Sequence, residues 1–119
     1  GASALLAYLS MSVLPTDAFV FEGFLPQKKG RQTKLKQLAL EERTIVLYES
    51  MYRIEKLLNE LNEYLPDRFL VICREITKKF EETWRGYPKE ILNNFSEKVV
   101  KGEFVVVVAP KNWIVKSSS

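Results

Sequence analysis

The turn Pro26-Gln27-Lys28-Lys29-Gly30-Arg31 sets two lysines and an arginine around a glycine. Cations at that spacing, on a backbone free to turn either way, can neutralise phosphates of a nucleic-acid strand. Residues 24–43 hold six Lys/Arg (Lys28, Lys29, Arg31, Lys34, Lys36, Arg43) against Glu41 and Glu42, a local net of +4 in a chain whose total is +3. The remainder is close to neutral, so the charge points to a local anionic partner rather than to a general polycation. The plain alternative is a solvated surface loop that turns at Gly30.

Three further clusters carry polar chemistry. YESMYR (48–53) puts Tyr48 and Glu49 at the C-terminal end of an expected strand and Arg53 in the first turn of the next helix. In open α/β sheets that strand end is where ligands bind; otherwise Glu49 caps its helix or pairs with Arg53. CREITKKFEETWRG (73–86) crowds Arg74, Glu75, Thr77 and Lys78 into a turn between two strands. Such a turn can hold a polar substrate, or form a surface ion-pair network of little energetic weight. The opening GASA offers small residues that admit a ligand close to the backbone, with Ser3 as a helix N-cap; it also reads as an ordinary helix start. None of the four is a complete catalytic constellation, because no nucleophile–base pair, metal-ligand spacing or Walker-type loop is present. The chain has no histidine, which removes the commonest general base and metal ligand. Its single cysteine, Cys73, excludes a disulfide within the chain and reads as a small apolar core residue in a reducing compartment.

The elements that must position these residues alternate in type. Strands are expected over 18–24, 44–49, 69–75, 79–86 and 103–110, the last a continuous apolar run suited to the sheet centre. Within 79–86, Phe80, Glu82 and Trp84 fall on one side by strict alternation. Helices are expected over 31–42 with Leu35, Leu38 and Ala39 inward, and over 51–65 with Ile54, Leu57, Leu58, Leu61 and Leu65 on one face before Pro66 stops it. A further helix opens at Pro88 and carries Ile91, Leu92, Phe95 and Val99. The short link between 69–75 and 79–86 favours an antiparallel pair, hence a mixed five-stranded sheet with helices packed on it, in a two-layer or three-layer α/β domain. At 119 residues one domain can bury roughly two thirds of its unfolded surface. Residues 111–119 are expected to fray. No membrane-length apolar segment and no signal peptide is legible, so the expected location is the cytoplasm. Residues 2–14 are apolar around most of a helix, which predicts self-association as a symmetric dimer.

Taken in order, GASALLAYLSMSVLPTDAFVFEGFLPQKKGR, RTIVLYESMYRI, CREITKKFEETWRG and KGEFVVVVAP resemble the C-terminal half of the bacterial ribosomal RNA small subunit methyltransferase I family. These are rRNA (cytidine-2'-O)-methyltransferases of the tetrapyrrole (corrin/porphyrin) methylase superfamily. The resemblance covers residues 1–110 and implies a C-terminal domain whose N-terminal partner domain is absent from this sequence. It implies an S-adenosylmethionine (SAM) site between the two domains, with Ala2, Ser3, Ala4, Tyr48, Glu49, Ile76, Gly102 and Glu103 on the cofactor side. It implies ribosomal RNA, or the small ribosomal subunit, as partner, with Lys28, Lys29, Arg31, Arg53 and Arg74 as RNA-binding residues. Glu49, Glu75 and Lys78 are the candidates to assist the departing proton. The family's usual histidine after YES-x is Tyr52 here, which puts that position's role in question. On this reading the parent is an enzyme and the isolated piece is inactive. Two alternatives stand beside it: a tetrapyrrole methyltransferase, whose polycarboxylate substrate could also use the basic turn, and a non-catalytic RNA-binding module.

Overall fold

β-branched and aromatic runs form the five strands β1 (Phe19–Gly23), β2 (Thr44–Ser50), β3 (Leu70–Ile76), β4 (Lys79–Gly86) and β5 (Glu103–Val108). Three helices lie between them: α1 (Arg31–Leu40), α2 (Ile54–Tyr64) and α3 (Pro88–Asn94). The computed structural model describes residues 14, 18–76, 79–95 and 102–113, with backbone alone at 75–76 and 79–82. The segment 1–16, read above as a helix and as a dimer surface, lies outside the described residues except for Leu14, which is buried.

The strands form one mixed sheet in the order β1-β2-β5-β3-β4. β1 and β2 run parallel, joined through α1, while β5 enters antiparallel between β2 and β3, and β4 returns antiparallel on β3. The apolar run of β5 thus takes the central position its composition predicts, with Phe104 to Val108 all buried.

Period-2 alternation divides the core between the two faces. Ile45, Leu47, Leu70, Ile72, Phe104, Val106 and Val108 face the helices and meet Leu35 and Leu38 of α1, Ile54, Leu57, Leu58 and Leu61 of α2, and Ile91 of α3. The other face carries Val46, Val71, Cys73, Val105 and Val107 with Leu14 and Phe69.

Element ends differ from the sequence expectation for local reasons. α1 stops at Leu40 because Glu41 is extended, its carboxylate accepting from both the Arg43 N–H and the Arg43 guanidinium. α2 begins three residues late: Arg53 N–H donates to Ser50 O at 3.1 Å, closing a turn first. α3 ends before Phe95, whose extended backbone sends its ring against Trp84 and Phe104, and the expected inward residue Val99 lies outside the described residues. In β4 the register skips Glu81, Arg74 pairing with Glu82 and Glu75 with Phe80, so strict alternation does not carry through 80–84. In the tail, Lys111 N–H donates to Glu42 O at 3.1 Å and the Trp113 ring packs on Phe69 at 5.2 Å, while residues 114–119 lie outside the described residues.

Candidate functional site

Strand direction gathers most of the sequence-predicted positions at one end of the sheet. β1, β2 and β3 all finish there and β5 starts there. The register aligns Ser50, Glu103 and Glu75 in one row, Glu49, Phe104 and Arg74 in the next, and Tyr48, Val105 and Cys73 in the third. Tyr48, Glu49, Arg74, Glu75, Ile76, Gly102 and Glu103, distant in sequence, therefore share this end. The β3–β5 ladder ends at Glu75↔Glu103, while β3 continues with β4 through Ile76↔Lys79. The backbone at Ile76 and Gly102 thus lies past the last β3–β5 pair. Ala2, Ser3, Ala4 and Lys78 lie outside the described residues.

Alternation sends neighbours to opposite faces. Tyr48 stands on the face away from the helices, where Phe21 and Phe24 meet its ring edge-on at 5.2 and 5.6 Å. Glu49 points the other way and is buried beneath α1, its Oε1 accepting from the Ser50 N–H at 2.9 Å. Its charged neighbour is Arg31 rather than Arg53, with Arg31 Nη2 3.9 Å from Glu49 Oε2.

Arg31 lies apart from the exposed lysines of the basic turn. Gly30 takes a left-handed conformation at φ 84°, which a residue with a side chain rarely adopts, and this sends residue 31 inward as the first residue of α1. Arg31 is only 5% exposed. Its Nε and Nη2 donate to the Glu60 carboxylate on α2 at 2.6–3.0 Å, and its Nη1 donates to Pro26 O at 2.9 Å. The hydrogen-bonded Glu60 carboxylate raises the Arg31 pKa above its ordinary value against the opposing cost of burial, with Glu49 adding to the rise. A guanidinium so committed is a structural strut between the turn, α2 and β2. Sequence reasoning missed this partner because Glu60 lies 29 residues away on the polar flank of α2.

Other cations of the turn region divide the same way. Lys34 Nζ lies 3.2 Å from Glu22 Oε2, and Arg43 pairs with Glu41 at 3.1 Å. Lys28 and Lys29 are exposed on either side of the turn's tip, with no ion pair among the described residues. Arg53 reaches across to this loop, its Nη2 donating to Gln27 Oε1 at 3.2 Å. The loop that carries Lys28 and Lys29 is thus tied to Arg53 in the turn that follows β2, and Lys28 lines a groove with Arg31, Lys56, Glu60 and Glu63. Arg74 sits two strands away, half-buried in the row of Phe104.

Among the described residues no cluster of three or more His, Cys, Asp or Glu could hold a metal, and no helix is long and apolar enough to cross a membrane. Burial pushes the Cys73 thiol pKa up, with Thr83 and Arg85 opposing, as befits a core residue.

Comparison with known proteins places this architecture. The family described as Tetrapyrrole (Corrin/Porphyrin) Methylases matches residues 1–92. The ribosomal RNA small subunit methyltransferase I of Synechocystis sp. is 48% identical over 111 residues, covering 92% of this chain and 40% of that protein. The proteins of the same name from Thermotoga maritima and Bacillus subtilis are 40% and 38% identical, covering 93% and 94% of this chain and 50% and 39% of theirs. The chain therefore spans half or less of the length of these relatives. Among solved structures, the cobalamin biosynthetic enzyme cobalt precorrin-4 methyltransferase superposes with a TM-score of 0.60 at 17% identity, over 90% of this chain and 48% of that one. With the match over residues 1–92 and the shared sheet, the chain belongs to the tetrapyrrole (corrin/porphyrin) methylase family.

Proposed function

We propose that this chain is the C-terminal part of a SAM-dependent methyltransferase that methylates the ribose 2'-OH of a cytidine in 16S ribosomal RNA. The observation that carries the reading is the pair of exposed lysines, Lys28 and Lys29, on a loop tied to Arg53 just past the end of β2, together with 38–48% identity to proteins named for rRNA methylation. Cations at that place suit a phosphate backbone held next to a small-molecule site.

The strand end fits a nucleoside-bearing methyl donor. Tyr48 offers an aromatic ring, and backbone groups of Ile76, Gly102 and Glu103 stand at or past the end of the β3–β5 ladder, where an adenine can hydrogen-bond. Ala2, Ser3 and Ala4 complete this cofactor side in the same reading. SAM would supply an electrophilic methyl group on a sulfonium. The chain's own part is to orient the ribose hydroxyl through its phosphate contacts and to receive the proton, and orientation can provide much of the rate. Glu49 is engaged by Ser50 and faces Arg31, which argues for holding the strand end rather than accepting a proton. Glu75 and Lys78 are then the candidate acceptors. Lys28, Lys29 and Arg53 contact phosphate, and Arg74 borders the site from β3. In this reading the N-terminal half of the longer protein completes the cofactor pocket, the isolated chain does not transfer methyl groups, and residues 2–14 contribute to a homodimer in the cytoplasm.

The test is methyl transfer by the full-length protein from radiolabelled SAM to small ribosomal subunits or 16S rRNA, with uroporphyrinogen and precorrins as competing acceptors. Label in a cytidine 2'-O position is expected. Label in a tetrapyrrole alone would replace this reading with the small-molecule one, and RNA binding without any transfer would leave a binding module.

A further inference from the structure

Four large apolar side chains are exposed among the described residues, and three lie at the candidate site: Phe24 at 58%, Phe21 at 49% and Tyr52 at 84%. Phe24 is not on a loose loop. Leu25 beside it is buried, Pro26 O is gripped by Arg31, and Gln27 is held by Arg53. Tyr48 touches the rings of Phe21 and Phe24 edge-on, at interplanar angles of 80° and 67°, so its contacts orient both rings while leaving about half of each in water. Tyr52 projects from the turn that follows β2, next to Arg53. The Arg53–Gln27 hydrogen bond ties the Phe24 loop to the Tyr52 turn. The exposed rings of Phe24, oriented by Tyr48, and of Tyr52 therefore share two joined loops with Lys28, Lys29 and Arg53. Two of the nearby carboxylates are compensated within the fold, Glu22 by Lys34 and Glu60 by Arg31.

Rings and cations interleaved in this way are what an unpaired nucleic-acid strand requires, since every base has a π-face to stack and every linkage a phosphate to neutralise. A duplex offers its phosphates but keeps its bases stacked on one another. We propose that Phe24 and Tyr52, with Phe21 beside them, form a stacking platform for unpaired RNA bases, and that Lys28, Lys29 and Arg53 hold the phosphates between those bases. The proposal rests on the RNA reading above and sharpens it: the substrate is engaged through a single-stranded segment next to the methylated nucleotide.

The experiment is fluorescence anisotropy of the full-length protein with a labelled unstructured RNA 12-mer and with the matching duplex, over a range of salt. Phe24→Ala and Tyr52→Ala should each weaken single-strand binding on the order of ten-fold, with an unchanged salt slope, and should leave duplex binding alone. Phe24→Trp and Tyr52→Trp should restore it, which a folding defect would not allow. Lys28→Ala with Lys29→Ala should instead flatten the salt slope by about 1.4 on single strands. Equal losses on both RNAs, or undiminished single-strand binding in the two alanine variants, would overturn the platform while leaving the RNA reading intact. Failure of the unaltered protein to bind either RNA would remove both. A fall in oligomeric mass on Phe24→Ala, with RNA affinity unchanged, would identify a second copy of the chain as the occupant and overturn the proposal.

Discussion

Replacing Glu60 by alanine removes the carboxylate that takes three hydrogen bonds from Arg31 and leaves a guanidinium 5% exposed with one carbonyl, Pro26 O, at 2.9 Å. Removing one partner of a buried ion pair costs about 3–5 kcal/mol, because the survivor remains desolvated. Two features of this site reduce that figure. The Glu60 side chain is 20% exposed, so water can enter the gap it leaves. Glu49 stands 3.9 Å away, where an effective dielectric near 20 still gives about 4 kcal/mol of attraction before desolvation. The expected loss is about 2–3 kcal/mol, and urea unfolding with an m-value of roughly 1.5 kcal/mol/M should show the midpoint falling by about 1.3–2 M. Glu60→Gln, which keeps an acceptor, should lose less. The decisive variant is Arg31→Met with Glu49→Gln and Glu60→Leu, which removes all three charges, strands no carboxylate and should recover most of the stability. If Glu60→Ala costs under about 0.5 kcal/mol, or the triple variant is as unstable as the sum of the singles, Arg31 is not the strut described.

Gly30→Ala should cost about 1 kcal/mol through its left-handed backbone alone, since no atom lies within 4 Å of the added Cβ, and Gly30→Asn should cost about half as much in the same unfolding assay. Glu41 is held at a pKa of about 2 by hydrogen bonds from Arg43, so NMR should show its carboxyl titrating near there and returning toward 4.5 in Arg43→Ala. Because that folded-state pKa is depressed, the pair's contribution to stability is complete above about pH 4.5 and lost as pH falls through about 2. Cys73 should react with a thiol reagent only as fast as the protein opens, so its labelling rate should rise in denaturant in step with unfolding. Arg68, whose Nε donates to Ala109 O at 2.8 Å from a site 5% exposed, should not accept Lys without a loss of about 1–2 kcal/mol, measured by urea midpoint.

The sheet was legible because its signal is local and repeated. TIVLYES and EFVVVV carry enough β-branched residues to identify strands, and the apolar run of the second requires burial on both faces, which only a central place provides. The inward face of α2 was legible at Ile54, Leu57, Leu58 and Leu61 for the same reason. Boundaries were less so, because single contacts decide them: the Glu41 carboxylate turning to Arg43 ends α1, and the Arg53–Ser50 bond delays α2. The strand order was not readable, since nothing local in β5 states that it will separate β2 from β3. Tyr48 and Glu49 could be assigned to a strand end from their neighbours alone. The partner of Arg31 could not, because its sequence context of lysines makes it look like one more surface cation.

Arg31's withdrawal also decides how positive charge reaches a partner. Of the six cations in residues 24–43, Arg31, Lys34 and Arg43 each face a carboxylate within the fold. A compensated pair has little field beyond the Debye length of about 8–10 Å. The uncompensated charge is left mainly with Lys28 and Lys29 at the loop tip, joined by Arg53 from the end of β2, while Lys36 stands further along α1. The patch that looked like a stripe in sequence contracts to a spot. On the proposed RNA reading such a spot would meet about two or three phosphates, enough to position a strand and too few to select one. On that reading selection would come from groups that touch bases, and the exposed rings of Phe24 and Tyr52, on the same two loops as those cations, are the groups proposed for it.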